Sequence, residues 1–134
     1  METDSLDTSL IVRVLTRDDY KKSKQTLDYL QTSSAKHQIF DLAISETVYV
    51  LTTQYGKTRQ EAIDLLSFFL TRFSDSFIYN QTLTSLVFSM YLSHPKLSFN
   101  DCMLSCYAEL HHAEPLFTFD KKLAKQASNA KILA

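Results

Sequence analysis

Two carboxylates stand inside a stretch that otherwise builds apolar elements, LSFNDCMLSCYAELHHAEPLFTFDKK at residues 97–122. Asp101 fronts a helical run of Met103, Leu104, Tyr107 and Ala108, and Asp120 closes a strand-like run, Leu116 to Phe119. Asp7 and Glu46 interrupt apolar runs in the same way. A charge at the edge of a buried element is costly unless it is paired or coordinates a metal. Carboxylate oxygens are hard ligands, so four acids in such settings point to a site for a divalent metal ion. Three of the acids also have a plainer reading. Asp7 can cap the helix that follows it, and Asp101 can close a capping box with Ser98 three residues earlier. Glu46 could sit in a buried salt bridge, but no Arg or Lys lies within a helical turn of it.

The elements that must position these acids alternate between strand and helix. A first short strand is expected to end at Leu6-Asp7, with a helix through residues 10–15 behind it. Asp18-Asp19 reads as a cap pair for a helix carrying Tyr20, Leu27 and Leu30, whose Lys21, Lys22 and Lys24 form a solvated basic face. Gln38 to Phe40 is expected as a second strand. Asp41 is expected to cap a helix through residues 42–51, apolar around most of its circumference and ended by Gly56. Thr58 and Glu61 match a capping box ahead of an amphipathic run to Phe73. Phe77 to Tyr79 reads as a third strand, and Asn80 as the cap of a helix over residues 81–92. After the turn His94-Pro95-Lys96 come the helix bearing Asp101, the strand ending at Asp120, a short basic helix over residues 121–125, and an edge strand at Ile132-Leu133. Such alternation argues for a parallel sheet covered on both faces, an α/β fold. At 134 residues the chain is expected to be one domain, 1–134.

Composition removes other classes. A single glycine, Gly56, excludes the Gly-rich phosphate cradles. No apolar run approaches the ~20 residues of a membrane span. The acidic start METDSLDTS does not resemble a signal peptide, and Cys102 and Cys106, one helical turn apart, make no disulfide framework. A cytoplasmic setting is expected. The net charge is −1, from 14 basic and 15 acidic residues. Setting the four candidate ligands aside leaves 14 against 11, a balance of +3 that permits an RNA partner.

The set Leu6-Asp7-Thr8-Ser9, Ser45-Glu46-Thr47-Val48-Tyr49, Asn100-Asp101 and Thr118-Phe119-Asp120-Lys121-Lys122 resembles the PIN-domain ribonucleases, and within them the VapC-type toxins of toxin–antitoxin pairs. That resemblance implies a three-layer α/β/α fold with a central five-stranded parallel sheet in the order 3-2-1-4-5. It implies a metal-dependent endoribonuclease leaving a 5′-phosphate and a 3′-hydroxyl. Asp7 and Asp101 would be direct ligands of Mg²⁺ or Mn²⁺. Glu46 and Asp120 would bind through water, orient the nucleophile or hold a second ion. Ser9 and Thr118 would serve as hydrogen bonders behind the ligands, and Arg13, Lys121 and Lys122 as RNA contacts. It further implies a homodimer and a cognate antitoxin protein. Ser9 stands where the family more often has asparagine, and a hydroxyl can make similar hydrogen bonds. The aromatic residues Phe68, Phe69, Phe73, Tyr79, Phe88 and Tyr91 are a reservoir from which a dimer surface could be drawn.

Competing chemistries fit less well. A haloacid-dehalogenase-type phosphatase needs a second aspartate two residues after the first, where this chain has Ser9. A phospho-receiver domain needs an aspartate after the third strand, where Asn80 stands. His111-His112 lack a catalytic partner, and Cys102 and Cys106 read as core thiols. A catalytically silent PIN-like scaffold is the alternative from outside enzymology.

Overall fold

The structure is a computed structural model that describes residues 2–134. It divides into two units, Met1–Asn80 and Gln81–Ala134.

In the first unit, β1 (Thr3–Ser5), β2 (Lys36–Gln38) and β3 (Phe77–Ile78) form a parallel three-stranded sheet in the order β1-β2-β3. Thr3 pairs with Lys36, and His37 with Phe77. Parallel neighbours need crossovers, which α1 (Thr8–Thr16), α2 (Tyr20–Thr32), α3 (Asp41–Thr53) and α4 (Arg59–Arg72) supply. Ile11, Ile39, Val48, Leu51 and Leu66 lie at the bottom of this core. The second strand begins two residues before the expected Gln38, because it is recruited by its ladder rather than by its own apolar character. Lys36, His37 and Gln38 are all polar.

Several caps fall where local spacing put them. Thr58 and Glu61 make both hydrogen bonds of a capping box. Of the acid pair before α2 only Asp19 caps, accepting from the Lys22 amide at 3.1 Å. Asp41 is the first residue of α3 rather than its cap, and Phe40 holds the cap position. Gly56 adopts φ 63°, which suits glycine, in the turn where the Lys57 amide reaches the Leu51 carbonyl.

In the second unit, β4 (Leu116–Thr118) and β5 (Ala130–Ile132) form a parallel pair. Around it stand α5 (Gln81–Ser93), α6 (Phe99–Leu110) and α7 (Lys121–Gln126). Phe99 packs edge-on against Phe88 and Tyr91, joining α5 to α6. Cys102 and Cys106 are buried thiols outside any disulfide, as expected for core thiols, and burial pushes the Cys106 thiol above its ordinary pKa. Among the described residues the strands form hydrogen-bonded sheets of three and two, in which 3-2-1 and 4-5 each keep the neighbours implied for a sheet of five.

Candidate active site

Asp7 is placed by the end of β1. The Leu6 amide still bonds to the Gln38 carbonyl at 3.1 Å, and the next residue turns out to cap α1. Its Oδ2 accepts from the Ser9 hydroxyl at 2.7 Å and from the Ser9 amide at 3.4 Å. The Ser9 hydroxyl is the main cause that holds the Asp7 carboxyl below its ordinary value, so it is ionised at neutral pH. The serine thus makes a bond of the kind expected of it.

Asp120 repeats the arrangement in the second unit. Just past β4 it caps α7, its Oδ1 accepting from the amides of Lys122 at 2.9 Å and Leu123 at 3.1 Å. Its own amide donates to the Thr118 hydroxyl at 2.9 Å. Asp101 closes the capping box of α6. Its amide donates to Ser98 Oγ at 3.1 Å, and its Oδ2 accepts from the Ser98 amide at 3.3 Å. The plainer reading of Asp101 is therefore realised as a local contact.

Glu46 departs from its expected setting. It lies on an open stripe of α3 between Leu42, 68% exposed, and Tyr49, 65% exposed, and among the described residues it has no hydrogen bond or ion pair. The near-continuous apolar circumference read from sequence is buried on one side only. Residues 42, 46 and 49 recur at the spacing of a single helix face, and that face is open.

Asp7 and Glu46 belong to the first unit, Asp101 and Asp120 to the second. Among the described residues no three His, Cys, Asp or Glu side chains gather closely enough to hold a metal ion. The donor chemistry nevertheless fits a divalent cation. Among the described residues, the cap hydrogen bonds to Asp7, Asp101 and Asp120 each fall on one carboxylate oxygen.

Two polar clusters escaped the sequence. Arg13 Nη1 lies 3.0 Å from both oxygens of Asp18, which also accepts from the Thr16 hydroxyl at 3.0 Å and from the Tyr55 hydroxyl. The arginine expected to contact RNA is thus tied to an acid that was read as a cap. The nearest sequence signal, two adjacent acids of which one cap needs only one, gave no hint of Tyr55. In the second cluster His37, fully buried on β2, has Nδ1 2.5 Å from Asp4 Oδ1, while the Tyr29 hydroxyl donates to the other Asp4 oxygen. An ionised carboxylate only accepts, so the imidazole proton sits on Nδ1. Among the described residues His37 Nε2 is buried without a hydrogen-bond partner. Beside Asp7's serine, an open groove of about 580 Å³ runs between α1 and α2, lined by Ser9, Leu10, Arg13, Lys22, Gln25, Thr26 and Tyr29. Lys121 and Lys122 are exposed at the start of α7.

None of the curated proteins compared matches the chain. The family model described as PIN domain matches residues 5–129. PIN domains are generally nucleases, and acids at the head of α1, α6 and α7 are in keeping with that chemistry. With all but four residues at one end and five at the other inside the match, the chain belongs to the PIN domain family.

Proposed function

We propose that this PIN domain is a metal-dependent endoribonuclease, acting as the toxin of a toxin–antitoxin pair. The observation that carries the reading is the shared form of Asp7, Asp101 and Asp120. Each heads a helix and is held by its own cap contacts, which fall on one carboxylate oxygen. A bound Mg²⁺ or Mn²⁺ would supply an activated water and offset charge on the phosphate in the transition state. Asp7 and Asp101 would hold the ion directly, with Glu46 and Asp120 completing the acidic set. The Ser9 hydroxyl keeps Asp7 ionised and oriented, and Thr118 fixes the backbone from which Asp120 projects. Lys121 and Lys122 would meet the phosphates of the RNA, whose cleavage leaves a 5′-phosphate and a 3′-hydroxyl.

The toxin reading extends to a homodimer and a cognate antitoxin. Its surface basis is narrower than the aromatic count in the sequence. Phe69, Phe88 and Tyr91 are core residues, and of the six aromatics considered Phe68 alone is largely exposed. Light scattering over a concentration series tests the dimer, and co-purification tests the antitoxin.

One observation favours a different reading, a silent PIN-like scaffold. Three of the acids already serve as caps, and no metal-holding cluster forms among the described residues. Cleavage of RNA on adding Mn²⁺, abolished by EDTA and by Asp7→Asn, is the expected result. Intact RNA under all of these conditions would leave only the scaffold.

A further inference from the structure

We propose that the outward face of the β4–β5 ribbon is a stacking platform for single-stranded RNA, with Phe117 and Phe119 each carrying a base and Lys131 a backbone phosphate. The inference rests on the ribonuclease reading for the nature of its ligand, and on the geometry of the second unit for its place.

Along this segment burial alternates with the pleat. Leu116 and Thr118 are half-buried, while Phe117 is 54% and Phe119 78% exposed. Phe117 stands on β4 and Phe119 in the bend just past its end; where the chain stays extended, residues two apart share a face with Cα atoms about 6.6 Å apart. That separation leaves each ring free to take its own base from a splayed strand. In the register of the ribbon Phe117 lies directly opposite Lys131, so an exposed ammonium flanks the first ring. Leu133, two residues on, is also exposed and extends the apolar strip beside it.

Charge decides what covers this face. The chain as a whole is −1, but residues 115–134 hold Lys121, Lys122, Lys125 and Lys131 against one acid, Asp120. The Asp120 carboxylate is itself turned to the amides of α7. A ring beside a lysine, in a segment whose charge is mostly basic, suits a polyanion with flat faces, because stacking is tolerant of base identity and ammonium groups follow the backbone. A protein partner fits less well. The buried centre of a protein interface is depleted in lysine, and a lysine on an edge strand discourages addition of another strand.

The test is the affinity of the full chain, in EDTA to prevent turnover, for a labelled single-stranded oligoribonucleotide and for a hairpin duplex of the same composition. Phe117→Ala and Phe119→Ala are each expected to weaken single-strand binding by about 5- to 100-fold. Phe119→Trp should restore it, and duplex binding should hardly change. Melting curves check the fold. Should Phe117→Ala melt low, Phe119→Ala carries the test, since the Phe119 side chain is mostly in solvent. Unchanged single-strand affinity in folded variants overturns the platform, as does a wild type that binds no single strand. Variants that alter self-association and leave RNA affinity untouched overturn it in favour of a protein interface. The two readings fail separately. Ring-dependent binding without metal-dependent cleavage sinks the nuclease and leaves the platform, whereas cleavage and binding indifferent to both rings do the reverse.

Discussion

At the scale of single residues the sharpest question is whether Asp101 is a cap or a catalytic acid, and the structure shows how to separate the two. Its capping role needs an acceptor, which asparagine also offers, while its proposed catalytic role needs a charge. Asp101→Asn should leave the melting temperature nearly unchanged and lower cleavage by at least ~10²-fold, comparable to removing a key electrostatic stabiliser. Asp101→Ala should lose cleavage and also about 1 kcal/mol of stability. Urea denaturation and a Mn²⁺ cleavage assay on both variants measure this, and full activity in Asp101→Asn would remove the residue from the site. Asp4 makes a second case. The hydroxyl of Tyr29 first, then His37, hold its carboxyl below the ordinary value of 3.8. A carboxyl lowered in the folded state gives stability that is complete above the unfolded value and fades as pH falls through the folded one. Wild type should therefore lose stability below about pH 3.8 more steeply than Asp4→Asn. Parallel slopes in acid denaturation would contradict it. What was legible here follows sequence distance. The Thr58–Glu61 and Ser98–Asp101 boxes span three residues and were readable. The contacts of Tyr29 with Asp4 and Tyr55 with Asp18 span 25 and 37 residues, and no local pattern encodes them.

Among the elements, helices were easier to read than strands for a physical reason. A helix of nine to fourteen residues shows its buried face several times over, whereas strands of two or three show theirs once. β2 is the extreme, since Lys36, His37 and Gln38 are polar by type even though His37 is buried completely. α3 errs in the other direction. Its sequence is apolar all round, yet Leu42, Glu46 and Tyr49 face outward. That exposure yields a prediction specific to the helix. A surface residue without partners contributes little to stability, so Glu46→Gln should change unfolding free energy by no more than about 0.5 kcal/mol. The same variant should lower metal-dependent cleavage by ~10²-fold if Glu46 belongs to the acidic set. A large drop in melting temperature would show that the helix depends on Glu46 for support, and undiminished cleavage would exclude it from the set.

For the molecule as a whole, charge counts and acid order carried more than the alternation of elements did. The acids in the order Asp7, Glu46, Asp101, Asp120 pointed to the family that the match over residues 5–129 establishes. Of the strand order implied by the same resemblance, the ladders present carry 3-2-1 in the first unit and 4-5 in the second. The proposed metal can be tested on this same whole-molecule scale, through folding itself. An ion that binds only the folded chain stabilises it by RT ln(1 + [L]/Kd), about 2.7 kcal/mol at a hundredfold excess over Kd. Wild type should then melt higher in Mn²⁺ than in EDTA. Asp7→Asn keeps an acceptor for the Ser9 hydroxyl and so should match wild type in EDTA, yet gain little from Mn²⁺. Potassium at equal ionic strength checks whether the gain reflects nonspecific screening, which it would reproduce. Equal gains in wild type and Asp7→Asn would mean that the ion is held elsewhere, and the assignment of Asp7 as a direct ligand would fall.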